Sequence, residues 1–263
     1  MLSGSLLTSG LLGLSLLTGP PQLGPEHQAS IQFNQLRRIV IDPGHGGGNK
    51  GCLGVDGTYE KTVVLQIARR VERLLLEETN AIPLMTRRTD RFLSLRDRST
   101  FANRARGDVF LSLHLNADAY GRGFGVETWF LGASAADAEA KRLVHQEESA
   151  YGHAAGVGAV QRGTVNAILR DASHQQSQAG SEVLAISVAA ALARGTKATL
   201  RGVKQAPFGV LKGAQMPAIV IEAGFFSHVK EGVRLRDPAY QEVIARAIVK
   251  GLVAYDRKIG QTR

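Results

Sequence analysis

Short apolar runs alternate along the chain with longer stretches in which apolar residues recur every three or four positions. The short runs have the length and apolar content of buried strands. They lie at residues 38–42, 81–87, 108–114, 126–131 and 218–225. The periodic stretches predict helices with one apolar face. They lie at residues 60–77, 94–107, 135–150, 166–173, 181–194 and 238–255.

This alternation of strands and helices predicts the fold class. We expect a single α/β domain whose central sheet is mostly parallel or mixed, with helices on both faces. In such sheets, functional sites gather beyond the carboxyl ends of the strands. Polar residues that follow a buried strand are therefore the first candidates for chemistry.

The first 34 residues differ from the rest of the chain. They carry no charge before Glu26, and no lysine or arginine stands before Arg37. The apolar stretch 11–17 resembles the core of a signal peptide, although a basic start and a clear cleavage site are missing. We expect residues 1–34 to be a leader and linker, with a disordered leader as the alternative, and residues 35–258 to form the folded domain. A signal peptide would direct the protein to the periplasm or the extracellular cell wall.

The composition narrows the classes of partner. The formal net charge is +9, and such a surface attracts anionic partners. The basic residues are scattered without interleaved aromatic residues, so we do not expect nucleic acid to be a partner. No segment has the length and apolarity of a stable membrane span. Cys52 is the only cysteine, which excludes an intrachain disulfide and metal sites built from several thiolates.

Four polar residues stand where a sheet can bring them together. His45 follows the first strand, His114 ends the third, Glu222 lies near the end of the last, and Glu60 opens a helix. Two imidazoles and a carboxylate form an open zinc site that leaves a position for water. A further carboxylate beside that water can act as a general base.

Each of these residues also has a purely structural explanation. A histidine at a strand end is commonly satisfied by hydrogen bonds, and Glu60 suits the positive end of a helix. Glu222 is harder to explain in this way, since an isolated carboxylate in an apolar strand costs several kcal/mol unless it is paired or metal-bound. The combination therefore favours a metal site more strongly than any one residue does.

Several motifs occur in the order typical of one family. They are "IVIDPGHGG", "YEKTVVLQIA", "DVFLSLHLNA" and "MPAIVIEAGFFS". Between about Arg37 and Tyr255 the chain resembles the zinc-dependent N-acetylmuramoyl-L-alanine amidases of bacterial cell walls. The resemblance implies that His45, Glu60 and His114 bind Zn²⁺ and that Glu222 is the catalytic glutamate. It also implies hydrolysis of the amide between N-acetylmuramic acid and L-alanine of peptidoglycan, in cell-wall remodelling or daughter-cell separation.

Two positions depart from the family pattern. Asn49 stands where the family usually has an acid, and we expect it to preserve the local turn. His228 stands where the family tends to have asparagine. It is either a further ligand or proton carrier, or it fills a similar hydrogen-bonding role. Asp42 is expected to orient the His45 loop or His45 itself, with a plain turn-forming role as the alternative.

Residues 133–162 form an excursion between a strand and the next helix. Some members of the family carry a helix there that covers the site until an activator protein displaces it, and "HQEESAY" resembles part of that segment. Our hypothesis is that Glu147 or Glu148 caps the zinc in a resting state. The alternative is a solvated amphipathic helix.

The sequence leaves two other functions open. The protein could be a catalytically silent relative that binds peptidoglycan or an envelope protein, or a zinc hydrolase of other N-acyl amino acids or peptides. We expect a monomer.

Overall fold

A computed structural model describes residues 31–135, 137–149, 151 and 164–261, with the backbone alone for residues 164–176. Residues 1–30 of the predicted leader lie outside the described residues, and so do residues 136, 150 and 152–162 of the predicted excursion.

In the part of the chain that the structure describes, six strands form one mixed sheet, which confirms the predicted class. They are β1 (Arg38–Pro43), β2 (Ile82–Met85), β3 (Val109–Asn116), β4 (Val126–Leu131), β5 (Leu200–Ala206) and β6 (Ala218–Phe225). The strand order is β2-β1-β3-β6-β4-β5. The first four of these are mutually parallel, and the β4–β5 pair is parallel within itself but antiparallel to β6. The start of β4 therefore lies at the same edge of the sheet as the carboxyl ends of β1, β3 and β6.

Helices cover both faces of this sheet. They are α1 (Glu60–Glu78), α2 (Leu95–Arg104), α3 (Ala138–Ser149), α4 (Thr164–Thr196), α5 (Val229–Arg236) and α6 (Pro238–Gln261). One face packs against α1, α4 and α6 and holds the larger apolar core. The other face is covered by α2, α3 and the short 3-10 helix Gly209–Leu211, which together enclose a second apolar cluster. None of the helices in the described part of the chain is both long and apolar enough to cross a bilayer.

The local sequence explains most helix limits. Ser94 caps α2 through a reciprocal capping box with Asp97, as its sequence position predicts. The two helices predicted at 166–173 and 181–194 form one continuous helix, α4. Gly180 does not end it, and a side chain there would come within 2.7 Å of Pro217, so the glycine permits close packing. Strand β5 was not predicted because its sequence, LRGVKQA, is mostly half-exposed and polar, as an edge strand can be.

Candidate metal centre

The loop after β1 aims His45 into the protein. His45 itself adopts the left-handed region at φ 59, which is uncommon for a residue with a side chain. Gly44 makes room for the second histidine, since a Cβ at this position would lie 2.4 Å from Cε1 of His114. The glycines of this loop therefore let two imidazole rings approach one another, and their centroids lie 4.8 Å apart.

Two buried arginines hold the loop in this shape. Arg98 donates to the backbone oxygens of Pro43 and His45 at 2.9 and 2.7 Å. Arg87 donates to the oxygens of Pro43 and Gly44 at 2.9 and 2.6 Å. These contacts bind carbonyl groups at the end of β1 and in the loop after it, and they fix the direction of His45.

Asp42 acts on this loop through Arg98. Its Oδ1 accepts from Arg98 at 2.8 Å and its Oδ2 accepts from Ser112 at 2.8 Å, and both Asp42 and Arg98 are fully buried. The structure thus places Asp42 beneath the loop, where it neutralises the arginine that grips the His45 carbonyl. Among the described residues, Asp42 makes no hydrogen bond to the His45 imidazole, so its contacts support the predicted role of orienting the loop.

Asn49 takes the position next to the imidazole. Its Oδ1 lies 2.9 Å from Nδ1 of His45. An amide oxygen only accepts, so this contact places a proton on Nδ1, and in the neutral ring Nε2 then carries a lone pair directed at the site. The sequence suggested no more than a turn former, and the role of Asn49 beside His45 emerges only from the folded loop.

Glu60 reaches the same point from the start of α1. Both of its oxygens accept backbone N–H groups, from Leu115 and from Cys52, each at 2.9 Å. Its Oε1 lies 3.0 Å from His45 Nε2 and 3.3 Å from His114 Nδ1. Burial would raise the pKa of Glu60, but the two histidines outweigh it and hold that pKa well below its usual value. A carboxylate is therefore fixed between the two rings.

A second carboxylate comes to the same place from α3. Glu147 Oε2 lies 2.9 Å from His114 Nδ1 and 3.4 Å from His45 Nε2. The ligand-type atoms of His45, His114 and Glu147 all lie within 4.8 Å of one another, and all three residues are buried. This group could bind a metal ion.

The orientation of the unpaired nitrogen and oxygen atoms in this site suits coordination of a metal ion better than hydrogen bonds between the side chains. His45 Nε2, His114 Nδ1 and Glu147 Oε2 are buried, and despite their proximity none has hydrogen-bond geometry with a partner. Burial lowers the pKa of each histidine, but the facing carboxylates raise both pKa values above the ordinary 6.5, that of His114 strongly. Carboxylates thus give the rings the negative surroundings that a cation needs.

Glu222 lies beside this group on the neighbouring strand. In the parallel β3–β6 pair it stands opposite His114, and paired residues project from the same face of a sheet. It is fully buried, and neither of its oxygens has a hydrogen-bond partner. Burial raises its pKa well above the usual value, although His114 opposes the rise. A bound divalent cation nearby would lower that pKa again.

Two further predicted residues lie away from the metal position. Glu148 points to the 3-10 helix, where its Oε1 accepts from the backbone N–H of Gly209 at 2.8 Å. His228 caps α5, its Nδ1 accepting from the N–H of Glu231 at 3.1 Å. His228 therefore has the hydrogen-bonding role that was one of its two predicted alternatives.

The structure also shows residues that the sequence analysis did not single out. Glu127 on β4 stands opposite Glu222 in the antiparallel pair and is fully buried. It has the same signal as Glu222, a carboxylate within an apolar strand. Tyr151, just beyond α3, accepts from the backbone N–H of His45 at 3.3 Å, and the guanidinium of Arg98 lies over its ring. No sequence pattern marks that contact.

A buried group of histidines and carboxylates at one edge of a mixed α/β sheet is an arrangement that could bind a metal ion. A sequence model of the N-acetylmuramoyl-L-alanine amidase family matches residues 39–254, so the chain belongs to this family. It is 34% identical over 236 residues to the amidase AmiC of Escherichia coli, which covers 90% of this chain and 56% of that protein. The chain thus spans little more than half the length of that relative.

Two other similarities, one in sequence and one in structure, are also to N-acetylmuramoyl-L-alanine amidases. The chain is 29% identical over 220 residues to the amidase AmiA of Escherichia coli, covering 83% of this chain and 76% of AmiA. The crystal structure of an N-acetylmuramoyl-L-alanine amidase from Clostridium difficile superimposes with a TM-score of 0.64 at 29% identity, over 84% of this chain and 97% of that one.

Proposed function

We propose that the protein hydrolyses the amide bond between N-acetylmuramic acid and L-alanine of peptidoglycan, in cell-wall remodelling or daughter-cell separation. The observation that carries the proposal is the convergence of His45, Glu60 and His114 on one point, with Glu222 on the adjoining strand. Membership of the amidase family supplies the substrate class.

The metal of this proposal is Zn²⁺. His45, Glu60 and His114 are the residues that would hold it, and their nitrogen and oxygen donors are those that zinc prefers. A bound zinc ion supplies polarisation of the amide carbonyl and a water that loses its proton near neutral pH. Asn49, by fixing the Nδ1 proton of His45, keeps the other ring nitrogen available as a ligand.

Glu222 performs the proton transfers. Its ionised carboxylate accepts a proton from the attacking water and later donates that proton to the departing amine nitrogen of L-alanine. Both of its oxygens are free of hydrogen bonds, so nothing in the described residues competes for that proton.

The described conformation is a resting state in this proposal. Glu147 takes a place beside His45 and His114 that water and substrate would need. Glu148 and Tyr151 fasten the same segment to Gly209 and to the His45 loop. An activator protein that displaces α3 would open the site. Helix α3 and Tyr151 together form the lid of the site in this proposal. Glu147 is its autoinhibitory residue, and Glu148 fastens it without touching the metal position.

The setting follows from the substrate. Peptidoglycan lies outside the cytoplasm, so the protein acts after export, in the periplasm or the extracellular wall, with residues 1–34 as leader and linker and residues 35–258 as catalytic domain. The net charge of +9 suits an anionic wall polymer. We propose that the protein works as a monomer.

The test replaces Glu222 with glutamine in the full chain. We expect Glu222→Gln to retain zinc and to lose at least about a hundredfold of the rate on purified, dye-labelled sacculi, the usual range for a general base. Glu182→Gln, an exposed change of the same kind on α4, is the matched control. Sacculus hydrolysis by Glu222→Gln at the control rate would disprove the assignment. Hydrolysis of unrelated N-acyl amino acids but not of sacculi would redirect it to another substrate.

A further inference from the structure

We propose that Arg201 and Lys204 on β5 form a subsite for a carboxylate of the substrate's peptide, and that Glu139 of α3 occupies this subsite in the resting state. The inference rests on the proposed amidase function and extends it to a second recognition point. It concerns the end of the sheet edge farthest from β1, beyond Glu222.

The four charged groups form one compact network. Lys204 Nζ lies 3.0 Å from Glu127 Oε2 and 3.1 Å from Glu139 Oε2. Arg201 donates through Nε to Glu127 Oε2 at 3.1 Å and through Nη2 to Glu139. Each cation therefore bridges a carboxylate of the sheet and a carboxylate of α3.

The two carboxylates differ in how firmly the fold holds them beside the cations. Glu127 is fully buried in β4 and also accepts from Asn116 and Trp129, so it belongs to the fixed scaffold. The Glu139 side chain is 33% exposed and belongs to the segment that must leave if the site is to open. Displacement of α3 would leave two cations facing one acid, and the surplus positive charge would lie on the substrate side.

The cations are held in place without Glu139. The Arg201 guanidinium lies over the ring of Phe225, 4.8 Å from its centroid. The Lys204 ammonium lies over the ring of Trp129 at 4.9 Å. These cation–π contacts and the bonds to Glu127 preorganise the pair, so a substrate carboxylate would meet donors that need no rearrangement.

The distance between this subsite and the metal position follows from the spacing of two residues on α3. Glu139 and Glu147 lie eight residues apart on α3, which is about 12 Å along a helix axis. Across the sheet, Glu222 on β6 and the cations on β5 are separated by β4, which is about 10 Å at ordinary strand spacing. An extended peptide covers such a distance with roughly three residues.

A single helix thus places one carboxylate at the metal position and another at the cation pair. Helix α3 therefore runs from the metal position toward β5, and its displacement would uncover the sheet edge along that direction. A stem peptide that begins with L-alanine at the metal would therefore bring its second and third residues toward Arg201 and Lys204. We infer that a free carboxylate on one of these residues replaces Glu139.

The test compares two fluorescent muramyl tripeptides, one with free side-chain and α-carboxylates at residues two and three and one with carboxamides in their place. The protein is the zinc-loaded full chain carrying Glu139→Gln and Glu147→Gln, which removes both lid carboxylates. Binding by fluorescence anisotropy and cleavage rates are both measured. We expect the carboxylate peptide to bind and react about tenfold or more better than the carboxamide.

Arg201→Gln and Lys204→Gln, each added to that background, should reduce this preference for the carboxylate peptide to near unity, in binding and in cleavage. Each single change leaves Glu127 one cationic partner, and circular dichroism verifies the fold. Arg194→Gln, an exposed charge on α4, is the control and should keep the preference.

Equal binding and cleavage of the two peptides, weak binding of both, or a preference that survives in Arg201→Gln and Lys204→Gln, would overturn the subsite. If neither peptide is cleaved although zinc is present, the proposed amidase function fails. The binding preference still decides the subsite in that case, so the two failures are distinguishable.

Discussion

Glu147→Gln tests whether the lid restrains the site. The change keeps the size of the side chain and removes the charge that faces His114 at 2.9 Å and His45 at 3.4 Å. A buried hydrogen bond or ion contact to a charged group contributes about 1.5–3 kcal/mol. If that free energy favours the closed lid, its loss shifts the closed-to-open ratio by roughly 10- to 150-fold.

The expected result is a rise in sacculus hydrolysis by up to that factor, limited by the point at which most molecules are open. Dye release from labelled sacculi measures the rate, and elemental analysis measures zinc in the same sample. Glu182→Gln should leave the rate unchanged. An unchanged or lower rate in Glu147→Gln with zinc fully retained would refute the resting-state interpretation. A lower rate with zinc lost would show instead that Glu147 is a ligand that the metal requires.

Three further predictions follow from the contacts around His45. Asn49→Ala should weaken zinc binding about 10- to 100-fold, because the Nδ1 proton of His45 loses its acceptor. Asn49→Asp retains an acceptor and should keep the zinc affinity. Competition with a chelator measures the zinc affinity of both variants. Arg98→Met should lower the free energy of unfolding in urea by about 3–5 kcal/mol, since Asp42 is left buried without its cationic partner. Adding Asp42→Asn should recover part of this loss. Equal stability of Arg98→Met and wild type would contradict the prediction. Zinc affinity should fall as the pH drops through the histidine pKa values, which the carboxylates raise above 6.5 in the metal-free chain, because protons then occupy the ligand atoms; an affinity independent of pH across that range would contradict it.

The sequence predicted the scaffold of the site well for a physical reason. Strands β1, β3 and β6 are buried on both faces, so their apolar runs are continuous and easily recognised. Glu222 interrupts such a run, and a buried carboxylate without a role is costly. The same physical argument applies to Glu127, whose place opposite Glu222 depends on a strand register that no single sequence specifies.

The parts that could not be predicted depend on contacts distant in the chain. Glu139 meets Arg201 across 62 positions, and β5 is a polar edge strand with little apolar signal. The sequence could not separate Glu147 from Glu148 either, because adjacent helical residues differ by about 100° in direction. Packing of Ala140 and Leu143 into the second apolar cluster decides which of the two faces the metal position.

X-ray diffraction from crystals of the zinc-loaded full chain, with anomalous data collected at the zinc absorption edge, tests the central claim most directly. We expect one zinc peak coordinated by His45, His114 and Glu60, with Glu222 beside it. A zinc peak elsewhere in the protein, or zinc-loaded crystals with no peak between the two imidazole rings, would contradict the proposed metal centre.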